Sequence, residues 1–141
     1  MSANNLSIKL TSEAKKQLRD LGVVALYLFG SRAQGTEGLL SDYDFAVLLK
    51  EVGHKRGNAL YDKLYDLLSP GCPRMLDNDV IDIVFLRDVS LELQFHVIRY
   101  GQVLFDTDSR VRVKFEEQTT LKYCDFKPLL NMFDQAVLEA I

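Results

Sequence analysis

Apolar positions along this chain follow two spacings. From residue 23 to 29 every position is apolar, Val23-Val24-Ala25-Leu26-Tyr27-Leu28-Phe29, the pattern of a strand covered on both faces. A second strand is predicted over Asp42–Leu49, apolar from Phe45 onward, and a third over Val80–Leu86, interrupted once by Asp82. Between these runs the spacing changes to three and four, which is helical. Ala14, Leu18 and Leu21 share one side of a helix predicted over 11–21 and ended by Gly22. Leu60, Leu64, Leu67 and Leu68, flanked by Tyr61 and Tyr65, predict a helix that Asn58 caps and Ser69-Pro70-Gly71-Cys72-Pro73 stops. Leu91, Phe95 and Ile98 predict another over 90–100, closed by Gly101 and followed by a short extended segment at 102–106. Asp108 is a good helix cap, and a long helical stretch follows it to the end of the chain. A kink or break is expected at 125–127, because Pro128 has no backbone N–H and disfavours helix in the residue before it. The apolar side of that stretch (Phe115, Tyr123, Phe126, Leu129, Leu130, Phe133, Val137) suits either core or an interface, and core is the reading preferred at its later positions.

No repeat or low-complexity segment interrupts this pattern. The expected architecture is a single α/β domain with a small mixed sheet, helices packed on it and a C-terminal helical arm. Residues 1–106 form the core, and 107–141 form an extension packed on the same domain. Composition agrees with one ordinary globular core: 141 residues, 48% hydrophobic and 26% charged. A net charge of −3 argues against a general nucleic-acid binder, which would be basic. Cys72 and Cys124 are far apart without CxxC spacing, as expected in a reducing cytoplasm, and are read as small packed side chains. No apolar run approaches 18 residues, so neither a signal peptide nor a membrane span is expected. The two histidines, His54 and His96, lack metal-ligand spacing, which argues against zinc. The basic clusters His54-Lys55-Arg56 and Arg110, Arg112, Lys114 read as solvated surface.

Chemistry concentrates between residues 26 and 49. Asp42 and Asp44 are two apart at the mouth of a strand, so both side chains point to one face, roughly 6–7 Å apart along the backbone. Two carboxylates so placed repel unless a cation sits between them, and oxygen donors of this kind suit Mg²⁺ with substrate phosphates. Upstream, Gly30-Ser31 directly follows the first strand. Glycine there permits a tight turn and close approach of a ligand, and Ser31 is placed to cap a short helical turn over 31–34 whose free N–H groups attract an anion. Each half has a plainer reading: a Ser-Asp turn with a strand-edge aspartate, and an ordinary serine cap. Asp82 is a charge inside an apolar run, costly unless paired or metal-bound. It follows Asp44 by 38 residues, enough for a helical crossover that returns its strand beside the second. Asp79, at the strand start next to Asp77 and Asn78, has a turn role instead.

Gly30-Ser31, ten residues, then Asp42-Tyr43-Asp44 resembles the G-S-x10-D-x-D signature of nucleotidyltransferases of the DNA polymerase β superfamily. The local wording GSRAQG followed by SDYDFAVLL is most similar to the minimal nucleotidyltransferase (MNT) group, many of whose members are antitoxins paired with HEPN-domain toxins. The resemblance implies a polymerase-β-like α/β fold and a Mg²⁺-dependent transfer of AMP from ATP. It implies catalytic and metal-binding roles for Asp42, Asp44 and Asp82, which hold two ions, and phosphate-binding roles for Gly30, Ser31 and Arg32. Asp82 is assigned by its apolar-Asp-apolar setting. Gln34 stands where many members carry a basic residue.

So small a core leaves little chain for binding an acceptor, which suggests an acceptor presented by another protein. The resemblance implies a HEPN toxin ribonuclease modified on a tyrosine hydroxyl, and therefore a hetero-oligomer in the cytoplasm. Two other classes fit the same residues: an antitoxin that neutralises its partner by binding alone, and a stand-alone nucleotidyltransferase acting on a small molecule or RNA. Ser31 is not expected to be a covalent nucleophile, since no histidine is spaced to activate it.

Overall fold

A computed structural model describes residues 8–30, 43–50, 58–72 and 81–140. Its elements in chain order are α1 (Ser12–Asp20), β1 (Val23–Phe29), β2 (Tyr43–Leu49), α2 (Asn58–Leu68), β3 (Ile81–Phe85), α3 (Leu91–Tyr100), β4 (Gln102–Asp106) and α4 (Ser109–Ala140). Short 3₁₀ turns at Ser69–Gly71 and Leu86–Asp88 follow α2 and β3. The four described strands form one sheet in the order β3-β2-β1-β4. β1 is antiparallel to both β2 and β4, and β2 is parallel to β3. This is the small mixed sheet that the apolar runs predict.

Several helix ends have a local cause. The Thr11 hydroxyl accepts the Ala14 N–H at the start of α1, and Gly22, at φ 85°, turns the chain into β1 after it. Ser90 caps α3 by accepting the Leu93 N–H, and the Asp108 carboxylate accepts the Arg110 and Val111 N–H groups at the start of α4.

Strand alternation divides the core into two layers, one on each face of the sheet. Leu26, Leu28, Phe45, Val47, Ile81 and Ile83 face α1 and α2, where Leu18, Leu64 and Leu68 are fully buried. Ala25, Tyr27, Phe29, Ala46 and Leu48 face α3 and α4, against Val97 and Phe115. All seven residues of β1 are buried, as a central strand covered on both faces requires.

The structure corrects four sequence readings. Pro128 lies inside a continuous helix running from Ser109 to Ala140, so of the expected kink or break at 125–127 the break does not occur. The missing N–H removes one hydrogen bond, and the i,i+4 ladder on either side carries the helix through it. The later apolar residues of this helix are not core, for Phe126, Leu129 and Phe133 are exposed. Cys72 is buried, its thiol donating to the Leu68 carbonyl, but Cys124 is exposed. Arg112, read as solvated, is half-buried in an ion-pair network with Asp106 and Glu116.

Candidate active site

β1 ends where β2 and β3 begin, so three strand termini meet at one end of the sheet. Register there pairs Phe29 with Asp44 across β1 and β2, and Asp44 with Asp82 across β2 and β3. Neighbouring residues in register share a face, with strands about 4.8 Å apart. Asp44 and Asp82 therefore stand side by side on the face of Ala46, Leu48 and Val84, the face covered further along by α3 and α4. Asp44 is half-buried and Asp82 exposed. The charge inside an apolar run thus avoids the cost of burial: β3 is an edge strand among those described, and its Asp82 lies where that face opens to solvent.

Gly30 closes the third side. It takes φ 79°, a left-handed conformation that glycine adopts freely, and a Cβ at that position would lie 2.5 Å from Asp44 Oδ2. The turn after β1 is thus built around the Asp44 carboxylate, and only a residue without a side chain lets the two approach so closely. Asp42, Ser31, Arg32, Gln34 and the predicted turn at 31–34 lie outside the described residues. Of the predicted site, the described part brings together Gly30, Asp44 and Asp82.

A neighbour escaped the sequence reading. Tyr61 of α2 is half-buried against the core layer on the opposite face, and its phenol is held above its ordinary pKa by burial and then by the negative charge of Asp82. In sequence it is one of two tyrosines on a helix flank. Nothing in its spacing points to β3, since the packing of α2 on the edge strand brings the two together.

The donors suit a hard divalent cation: two carboxylates in register on one face, one open to solvent, beside a turn that admits close approach. Among the described residues no group of three histidine, cysteine or acidic side chains converges, so a third carboxylate for such an ion has to come from outside them. No described helix is long and apolar enough to cross a membrane.

Residues 9–110 match the family model described as polymerase beta, nucleotidyltransferase. The chain belongs to that family. The match takes in all four strands and the whole Gly30–Asp44–Asp82 cluster. A curated relative, the protein adenylyltransferase MntA of Aphanizomenon flos-aquae (strain 2012/KM1/D3), is 34% identical over 110 residues, 74% of this chain and 71% of that protein. Among solved structures, a toxin–antitoxin crystallised with AMP-PNP is 29% identical at a TM-score of 0.65, covering 91% of this chain and 99% of the other. A doubly substituted MntA toxin–antitoxin complex shares the fold over 98% of this chain and 99% of its own, with a TM-score of 0.63 and 24% identity.

Proposed function

We propose that this nucleotidyltransferase moves AMP from ATP to a tyrosine hydroxyl of a HEPN-family toxin ribonuclease in the cytoplasm, and so acts as the antitoxin of a toxin–antitoxin pair. The observation that carries the reading is the register of Asp44 with Asp82 beside the left-handed Gly30. The protein-adenylyltransferase relative and the toxin–antitoxin solved with an ATP analogue support the choice of donor and of acceptor.

Asp44 and Asp82, joined by Asp42, are the residues to hold Mg²⁺. When bound, Mg²⁺ supplies Lewis acidity toward the phosphate oxygens and the attacking hydroxyl, and two such ions serve both ends of the displacement. Gly30 and Ser31 hold the β- and γ-phosphates, the glycine by leaving the backbone open to close approach, and Arg32 adds positive charge. The tyrosine oxygen forms its bond to the α-phosphorus as the bond from that phosphorus to the α–β bridging oxygen breaks, and pyrophosphate leaves. Asp82, exposed at the strand mouth, takes the phenolic proton. Asp44, half-buried with its Oδ2 close against Gly30, is the more enclosed of the two described carboxylates.

Incubation with a HEPN-family toxin, ATP and Mg²⁺, followed by intact mass of the toxin, tests the reading. A gain of one or more AMP units that Asp44→Ala abolishes supports it. An inhibited toxin of unchanged mass removes the transfer reaction and leaves neutralisation by binding.

A further inference from the structure

The core-facing stripe of α4 continues past the elements that cover it. Phe115 and Thr119 are buried against the sheet, and Tyr123 stacks on Phe95 of α3 with ring centroids 4.0 Å apart. At the next turn the cover thins. Leu91, the first residue of α3, shares with Lys122, Asp125, Phe126 and Leu129 the lining of an open hollow of about 570 Å³. Beyond it the same side of α4 stays apolar, yet Leu129 is 50% exposed and Phe133 67%. Phe126, Leu129 and Phe133 recur at i, i+3 and i+7, the spacing by which one helix face anchors in a partner.

The size of this surface indicates what it is for. Phe126, Leu129 and Phe133 together leave roughly 300 Å² of apolar surface open, the size of the largest patch on an ordinary monomer and over a third of one side of a standard interface. We propose that the stripe from Phe126 to Phe133 is the surface that grips the toxin, separate from the carboxylates that modify it. This rests on the partner assigned under the proposed function. The antitoxin fold that matches 98% of this chain, arm included, was solved with a toxin, which favours the toxin over a second copy of this chain as the occupant. A mainly apolar stripe with the opposite charges of Lys122 and Asp125 on its flank suits an apolar face on the partner rather than a charged one. It makes binding independent of nucleotide, so the acceptor is retained through successive transfers.

The test is the double variant Leu129→Asp, Phe133→Asp, both at exposed positions. Toxin affinity is measured by titration calorimetry, ATP–Mg²⁺ binding by thermal shift, and the mass of the chain alone by light scattering. The expected result is a loss of toxin affinity of at least about thirtyfold, the scale of one interface hot spot, with the ATP-dependent shift and the mass of the isolated chain unchanged. Wild-type toxin affinity in the variant overturns the proposal. So does a variant that changes from dimer to monomer while still holding toxin, because the stripe then covers a second copy. A wild-type chain that binds no toxin overturns the proposal together with the partner assignment. A wild-type complex that forms without AMP transfer removes only the transfer reaction and leaves the docking surface in place.

Discussion

The Asp44 carboxylate occupies the space that a side chain at Gly30 would need: the missing Cβ would sit 2.5 Å from Asp44 Oδ2. The turn after β1 and the first residues of β2 are therefore matched to each other, and neither can change alone.

Gly30→Ala is expected to cost about 1–2 kcal/mol from the left-handed backbone alone, with a further loss from the clash. Activity should fall more than stability, because the carboxylate is the group displaced. Adding Asp44→Ala should recover part of the melting temperature and none of the activity. Full activity in Gly30→Ala would show that the close approach of turn and carboxylate has no catalytic consequence.

Asp44 and Asp82 in register repel each other without a cation, so Asp44→Asn and Asp82→Asn should each leave the metal-free protein at least as stable as wild type. Mg²⁺ should then stabilise wild type and neither variant, as ligand linkage requires. AMP transfer should fall more than about 100-fold in both, since loss of a group merely supporting a metal ligand already costs 10–100-fold. Equal Mg²⁺-dependent melting shifts in all three proteins would exclude these carboxylates as ligands.

The first half of α4 is fastened to the sheet by a chain of polar contacts. The Tyr27 hydroxyl donates to Glu116 at 2.7 Å, Arg112 donates to Glu116 at 3.0 Å, and Arg112 Nε donates to Asp106 at 2.6 Å. Burial, with Glu116 beside it, holds the Tyr27 phenol well above its ordinary pKa and so keeps it a donor. Arg112→Ala should cost about 1–3 kcal/mol, the range for stranding partly buried partners. A double-mutant cycle with Tyr27→Phe should be non-additive, because both residues bond to one carboxylate.

The same network sets an acid response. Burial alone would raise the Asp106 carboxyl, but hydrogen bonds from Arg112 and Ser109 outweigh it and hold the group below its ordinary value. A lowered folded-state pKa contributes stability above the unfolded value of about 3.9 and loses it as pH falls through the folded value. Melting temperature should therefore drop more steeply below about pH 4 in wild type than in Asp106→Asn. Parallel acid limbs for the two proteins would remove Asp106 from the account.

Pro128 inside α4 leaves the Cys124 carbonyl without its helical donor. Pro128→Ala should stabilise the arm by up to about 3 kcal/mol, read as added helicity and slower amide exchange beyond residue 120. A global melting temperature that rises by the same amount would mean that the arm unfolds with the core rather than before it.

Local chemistry was sufficient for much of this. A run of seven apolar residues can only be a strand covered on both sides, and β1 is one. Asp108 was legible as a cap, and Gly22 as a helix end, because these depend on the geometry of neighbouring residues. A glycine directly after a strand and an aspartate inside an apolar run were each visible as oddities. That Gly30, Asp44 and Asp82 are one object follows from pairing between strands, and β2 meets β3 only after the chain has passed through α2. For the same reason Arg112 was misread: its partners Asp106 and Glu116 are near in sequence, but only the docking of α4 on β1 and β4 makes a half-buried bridge of a surface cluster. The fate of Phe126 and Phe133 lay furthest beyond the sequence. Helical spacing fixes which side of α4 they share, whereas what lies opposite depends on where α3 begins, and α3 begins too late to cover them.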